Sequence, residues 1–308
     1  MSEFKLTTSV LFVVFNRPET TIQVFETIRQ AKPPRLYVAA DGAREDKEGE
    51  LEKVKQVREI VNQVDWDCEV KTLFRDKNLG CKIAISSAID WFFEHEEMGI
   101  ILEDDCLPHP TFFRFCEELL EKYRDDERIA MISGNNFQFG RKRTNYSYYF
   151  SRYPHIWGWA SWRRAWKNYD VDMKIWSEIR NGNWLQDLFK DKKSVQYWAN
   201  IFEKTYQGKI NSWGYRWTFS CWIQNALTVI PNVNLVSNIG FGLDASHTKA
   251  TTKLSNISTS PIEFPLKHPN FIIRDTLADD FTQRNIFELS IITRVKMKAT
   301  EFLYKIKD

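Results

Sequence analysis

Residues 98 to 106 read Met-Gly-Ile-Ile-Leu-Glu-Asp-Asp-Cys, an apolar run that stops at three consecutive carboxylates, Glu103, Asp104 and Asp105. The run is short and rich in branched side chains, the pattern of a strand buried on both faces of a parallel sheet. Three adjacent carboxylates repel one another unless positive charge sits among them. Hard divalent cations such as Mg²⁺ or Mn²⁺ take oxygen ligands and often bridge protein carboxylates to substrate phosphates. In open α/β sheets, ligands collect in the crevice at the carboxyl ends of the strands. The pattern therefore predicts a site for a cation and a diphosphate. The plainer alternative is a solvated acidic turn at a strand end.

The elements that would position these carboxylates can be read along the first half. Val10–Phe15 is an apolar strand, and Pro18 then opens a helix in which Ile22, Phe25 and Ile28 recur at helical spacing. Leu36–Ala40 is a second strand ending at Asp41-Gly42, followed by a charged helix over 47–62. Cys68–Phe74 is a third strand, Asn78-Leu79-Gly80 a turn, and 81–95 a helix. After the carboxylates, Pro110 opens a helix to about Tyr123, and Ile129–Ser133 is a further strand. This βαβα order predicts an α/β fold: a mostly parallel, Rossmann-like sheet with helices on both faces.

From about Tyr146 the pattern changes to short helices and aromatic clusters, densest at Trp157-Gly158-Trp159-Ala160-Ser161-Trp162. Helices are expected over 195–206 and 217–226, and a short strand over 234–237 leads into the glycine-containing stretch Asn238–Gly242. The expected division is an α/β half (1–145), an aromatic-rich half of the same domain (146–285) and a C-terminal amphipathic basic helix (286–308). In that last segment Arg294, Lys296, Lys298, Lys305 and Lys307 lie among periodic apolar residues. It either packs on the domain or makes peripheral contact with an anionic membrane surface through 287–308.

Composition narrows the function classes. A formal net charge of +2 over 308 residues argues against nucleic acid as the main partner. The 12 Trp, 11 Tyr and 22 Phe are the unusual feature; much of this is expected to be core, and Trp and Tyr also stack on sugar rings. The polar start, Met1–Thr8, carries no export signal, and no stretch is long enough to span a bilayer. Cys68, Cys81, Cys106, Cys116 and Cys221 are odd in number without zinc-type spacing, as expected of reduced thiols. The expected location is cytoplasmic, with a peripheral position on the inner face of the membrane as a further option.

Taken in order, these motifs resemble the GT-A class of nucleotide-diphospho-sugar glycosyltransferases. The nearest likeness is to bacterial hemolytic-protein-like transferases, and a more distant one is to N-acetylglucosaminyltransferase I. The matching stretches are Phe15–Pro18, Ala40-Asp41-Gly42, Asn78-Leu79-Gly80, Glu103-Asp104-Asp105, Trp157-Gly158-Trp159 and Asn238–His247. The resemblance implies a metal-dependent, inverting transfer of sugar from a UDP- or GDP-sugar to a saccharide or lipid-linked acceptor, in bacterial surface-polysaccharide synthesis. It implies donor contacts from Asn16, Arg17 and Pro18, from Asp41 and Gly42 at the nucleobase, and from Gly80 and Lys82 at the diphosphate. It makes Asp105 and His247 the ligands of Mn²⁺ or Mg²⁺, with Asp104 facing the ribose or sugar and Glu103 orienting. It makes 1–145 the nucleotide-sugar-binding half and 146–285 the acceptor side, where Arg216 falls and where Trp157, Trp159, Trp162 and Trp213 would form a sugar platform, with core packing expected for at least two of the four.

One departure stands out. Inverting transfer needs a base near the acceptor hydroxyl, and at the matching place (Ser212–Trp217) the resemblance implies an acid where this chain has Gly214. Another carboxylate then serves (Asp170, Asp172, Asp187 and Glu203 are the substitutes in that half), or the donor phosphate does, or the chain is a catalytically impaired nucleotide-sugar or glycan-binding relative.

Overall fold

The computed structural model describes residues 4–241 and 254–288. Its first strand, β1 (Val10–Val14), shows why two helical layers are needed. Successive side chains of a strand point to opposite faces. Val10, Phe12 and Val14 enter one apolar core, while Leu11 and Val13 enter another.

The first core is roofed by α1 (Pro18–Ala31), α2 (Glu50–Val61) and α4 (Thr111–Lys122). The second is roofed by α3 (Gly80–His95) and by a later group: α5 (Arg163–Trp166), α6 (Trp176–Ile179), α7 (Trp184–Leu188), α8 (Lys192–Tyr206) and α9 (Trp213–Ile223). Between them lie β2 (Arg35–Ala40), β3 (Glu69–Phe74), β4 (Met98–Glu103), β6 (Ile129–Ser133), β7 (Tyr148–Ser151), β8 (Trp159–Trp162) and β9 (Leu227–Pro231). With β1 they form one eight-stranded sheet in the order β3-β2-β1-β4-β8-β6-β9-β7. Strands β3, β2, β1 and β4 are mutually parallel, β6 and β9 run the same way, and only β8 and β7 oppose them. The predicted α/β class with helices on both faces is what the chain adopts.

The aromatic cluster of the second half contains a strand that the sequence reading lacked, and it buries two of the four platform tryptophans, as expected of at least two. Residues 159–162 are strand β8, inserted between β4 and β6, with Trp159 paired to Ile101 and Ser133. Trp159 and Trp162 are therefore core residues. Strands from both sides of position 145 thus share one sheet. A second, two-stranded sheet pairs β5 (Cys106–Pro108) with β10 (Val236–Asn238), antiparallel, and fastens the chain after residue 235 onto the carboxylate turn. The last described elements are α10 (Thr276–Thr282) and a π-helical turn at Gln283–Phe287. The expected boundary at 286 falls inside that turn, and Phe287 packs on Trp198 at 4.9 Å. The rest of the expected C-terminal helix, 289–308, lies outside the described residues.

Candidate functional site

The parallel strands end on one edge, and their ends carry the polar side chains. Asp41 follows β2, Arg75 follows β3, and Glu103–Asp105 close β4. There a cleft of about 530 Å³ opens, lined among others by Phe15, Arg17, Asp41, Arg44, Arg75, Cys81, the three carboxylates, Trp157, Trp213 and Gly240.

The positive charge that three carboxylates demand is present as Arg17. Its Nη2 donates to Asp104 Oδ1 at 2.5 Å and its Nη1 to Asp105 Oδ2 at 2.9 Å. Although burial opposes its charge, Asp104 and then Asp105 hold this guanidinium above its ordinary range. Asp104 is 2% exposed, and its other oxygen accepts from the Phe15 backbone N–H at 3.1 Å. Burial raises the Asp104 carboxyl to about 6 even though Arg17 pulls the other way. Burial, then Asp105 and Asp104, push Glu103 up to about 8. Of the two aspartates Asp105 keeps the freer carboxylate, since its Oδ1 accepts only a long contact from the Cys106 thiol at 3.4 Å.

Asp41 is differently employed. Its Oδ1 accepts from the backbone N–H groups of Gly42 and Leu79, and its Oδ2 from those of Leu79 and Gly80, all at 3.0–3.1 Å. The carboxylate therefore caps the start of α3 from another strand. It satisfies the amides that helix termini leave unpaired. This bears on two expectations. The Gly80 amide at the start of α3 is already taken by a carboxylate, although Gly80 itself lines the cleft. Asp41 is committed to that cap. Lys82, Gly42, Asn16 and Pro18 do not line the cleft. Asn16 donates to Glu50 at 2.8 Å, and Pro18 is the first residue of α1.

Sequence reasoning missed Arg44 and Arg75. Arg44 is held by Glu50 at 2.5 Å. Arg75 donates to Ser87 Oγ at 2.7 Å, makes no ion pair with a described carboxylate, and is lowered by burial. Its signal was the rule that gave Asp41: a polar residue just after a parallel strand.

On the opposite wall, Trp157 is half-buried between Phe137 and Phe241 at 5.0 and 5.7 Å. Trp213 lines the cleft and stacks on Trp159 at 5.7 Å, while Trp159 is fully buried behind it. Arg216 is 3% exposed and donates to the carbonyls of Val171, Ser212 and Thr205, so it braces α9 and does not face an acceptor. None of the proposed substitute bases lines the cleft. Asp170 caps the Asp172 and Lys174 amides, Glu203 accepts from Trp176, and Asp172 and Asp187 are exposed. At Gly214 a Cβ would meet Ile156 Cδ1 at 2.7 Å. The tip of an isoleucine that lines the cleft stands against the place of the expected acid.

Among the described residues no three His, Cys, Asp or Glu side chains converge as a metal cage. His247 lies outside them. The donor set instead suits a cation of the magnesium type, which takes one or two carboxylates and completes its shell with substrate phosphate and water. A guanidinium already occupies the place of such a cation, between two carboxylates.

No family model matches the chain, and no curated protein does. Solved structures give a likeness of general fold. An apo UDP-glucose pyrophosphorylase is matched with a TM-score of 0.36 at 10% identity, over 73% of this chain and 90% of that one. CMP:2-keto-3-deoxy-manno-octonic acid synthetase complexed with CTP is matched at 0.32 and 16%, over 56% and 82%. Residues 1–349 of S. aureus TarS are matched at 0.35 and 10%, over 54% and 50%. At these scores the likeness carries no argument about chemistry.

Proposed function

We propose that the chain is a nucleotide-diphospho-sugar glycosyltransferase that works with a divalent cation, Mn²⁺ or Mg²⁺, and a saccharide or lipid-linked acceptor. The observation that carries this reading is the placement of Asp105. It is the less committed of the two aspartates, it lines a cleft at the carboxyl ends of parallel strands, and Arg17, Arg44 and Arg75 line the same cleft. That combination of one available hard ligand and several guanidinium groups suits a diphosphate, which Arg binds in bidentate fashion. A bound cation there would neutralise charge growing on the leaving diphosphate.

The chain's own residues divide the remaining work. Asp105 would hold the cation, and His247, which lies outside the described residues, is the second ligand that the resemblance implies. Asp104 fixes the end of β1 through Phe15 and orients Arg17. Asp41 sets the entrance of α3, and Arg75 supplies an unpaired cation for a phosphate or a nucleobase carbonyl. Trp157 offers aromatic surface to a sugar ring, whereas Trp213, on the same cleft, is buried.

A second reading is favoured by one observation. Ile156 fills the space beside Gly214, and the described carboxylates lining the cleft all belong to the donor side. Either the donor phosphate accepts the acceptor's proton or the chain binds a nucleotide sugar without transferring it. A thermal-shift panel of nucleotide sugars with Mn²⁺ tests the main reading, and stabilisation by at least one UDP- or GDP-sugar is expected. Slow hydrolysis of that donor marks a transferase; an intact donor after prolonged incubation marks a binding relative. Stabilisation by none of the panel would overturn both.

A further inference from the structure

Arg17 touches its two carboxylates through separate nitrogens, Nη2 on Asp104 and Nη1 on Asp105. One contact can therefore break while the other stays. The two partners are unequal. The Asp104 side chain is 3% exposed and is fixed by the Phe15 amide, whereas that of Asp105 is 16% exposed and has only a thiol contact besides. A thiol is a weak donor.

The stretch after β10 lies directly on the exchangeable pair. Ile239 N donates to the Asp105 carbonyl at 2.8 Å. A Cβ on Gly240 would fall 2.3 Å from Asp105 Oδ2 and 2.5 Å from Arg17 Nη1. Only glycine lets the backbone rest there, and the cradle it makes is centred on the bond between Arg17 and Asp105. Charge points the same way. With Glu103 ionised, as a bound cation would favour, the three carboxylates and one guanidinium carry a formal charge of −2, which one divalent cation neutralises. A diphosphate arriving next would then face whatever positive group is still free.

We propose that Arg17 is the resident counter-ion of the cation site, holding Asp105 until a divalent cation displaces it and then turning its freed Nη1 to the diphosphate. This rests on the reading of Asp105 as a cation ligand, and it makes Arg17 a competitor of the cation and a partner of the nucleotide. The two roles predict opposite signs, which a purely structural ion pair does not.

The test measures Mn²⁺ alone, by electron paramagnetic resonance of the free ion, and then UDP and GDP in saturating Mn²⁺, by calorimetry. In Arg17→Met the competitor is gone. Mn²⁺ alone should bind about tenfold tighter, the scale of relieving a partly exposed like-charge contact. The better-bound nucleotide should bind about tenfold or more weaker, the scale of one lost charge-assisted contact. Arg17→Lys keeps the charge but cannot span both carboxylates. It should show the same two signs at smaller size, and it carries the test if circular dichroism shows the methionine variant unfolded. Unchanged or weaker Mn²⁺ binding in the variants overturns the exchange, as does tighter Mn²⁺ binding with unchanged nucleotide affinity. The parent reading fails separately, if the unmodified chain binds neither nucleotide in Mn²⁺.

Discussion

Replacing Asp41 by Asn asks whether this residue holds the cleft together. The carboxylate accepts four contacts from three backbone amides at 3.0–3.1 Å and is 7% exposed. Asn is nearly isosteric, yet one of its two terminal atoms is a donor. Whichever way the amide is turned, that NH₂ faces at least one N–H, and either the buried Gly42 amide or the partly buried Gly80 amide loses its acceptor. Each such orphan costs about 1–3 kcal/mol, and the lost charge assistance adds to it. The expected destabilisation of Asp41→Asn is therefore about 2–4 kcal/mol, with Asp41→Ala no more than about 1–2 kcal/mol worse. Urea unfolding followed by tryptophan fluorescence measures both. An Asn variant within about 0.5 kcal/mol of the parent, the range of an ordinary surface change, would refute the capping argument. It would return Asp41 to the nucleobase contact that the resemblance implied.

Three further outcomes are expected. Gly214→Asp should destabilise the chain by about 1–3 kcal/mol, because Ile156 occupies the space; Ile156→Ala in the same chain should recover part of that, and if it recovers nothing the steric account is wrong. Trp159→Ala should cost about 3–5 kcal/mol as a core truncation, whereas Trp157→Ala should change stability far less and weaken sugar binding. Glu103 is raised in the folded chain from its ordinary 4.5 to about 8, so its contribution to stability is complete below about pH 4.5 and is lost as pH rises through 8. Thermal stability without metal should therefore fall across that window, while Mn²⁺ affinity rises by up to about tenfold per pH unit for one linked proton. A Mn²⁺ affinity flat from pH 6 to 8 would contradict the assignment of the burial-driven shift.

The legible part of this fold was the part governed by periodicity. Strands β1 to β4 and β6 and helices α1 to α4 alternate as runs of branched residues and amphipathic stretches, and their bounds fell within three residues of the reading. The acidic tip of β4 was legible because carboxylates after a buried strand have few uses. Strands β7, β8 and β9 were missed for physical reasons. Tyr148–Ser151 and Trp159–Trp162 are strands made of bulky aromatics, and such residues read equally as binding surface. Their burial comes from neighbours distant in sequence: β8 is sandwiched between β4 and β6. Side-chain commitment was also invisible. No spacing rule says that Asp41 turns to the Leu79 and Gly80 amides, that Arg216 is spent on three carbonyls, or that Arg17 lies across Asp104 and Asp105. Those facts arise from packing.

Calorimetric titration of the matching nucleoside diphosphate into the unmodified chain and into Asp105→Asn, each with and without Mn²⁺, meets the central claim most directly. The account predicts that Mn²⁺ strengthens binding to the unmodified chain by tenfold or more and that the substitution removes this gain while thermal unfolding stays cooperative. An equal Mn²⁺-dependent gain in the two proteins would contradict it.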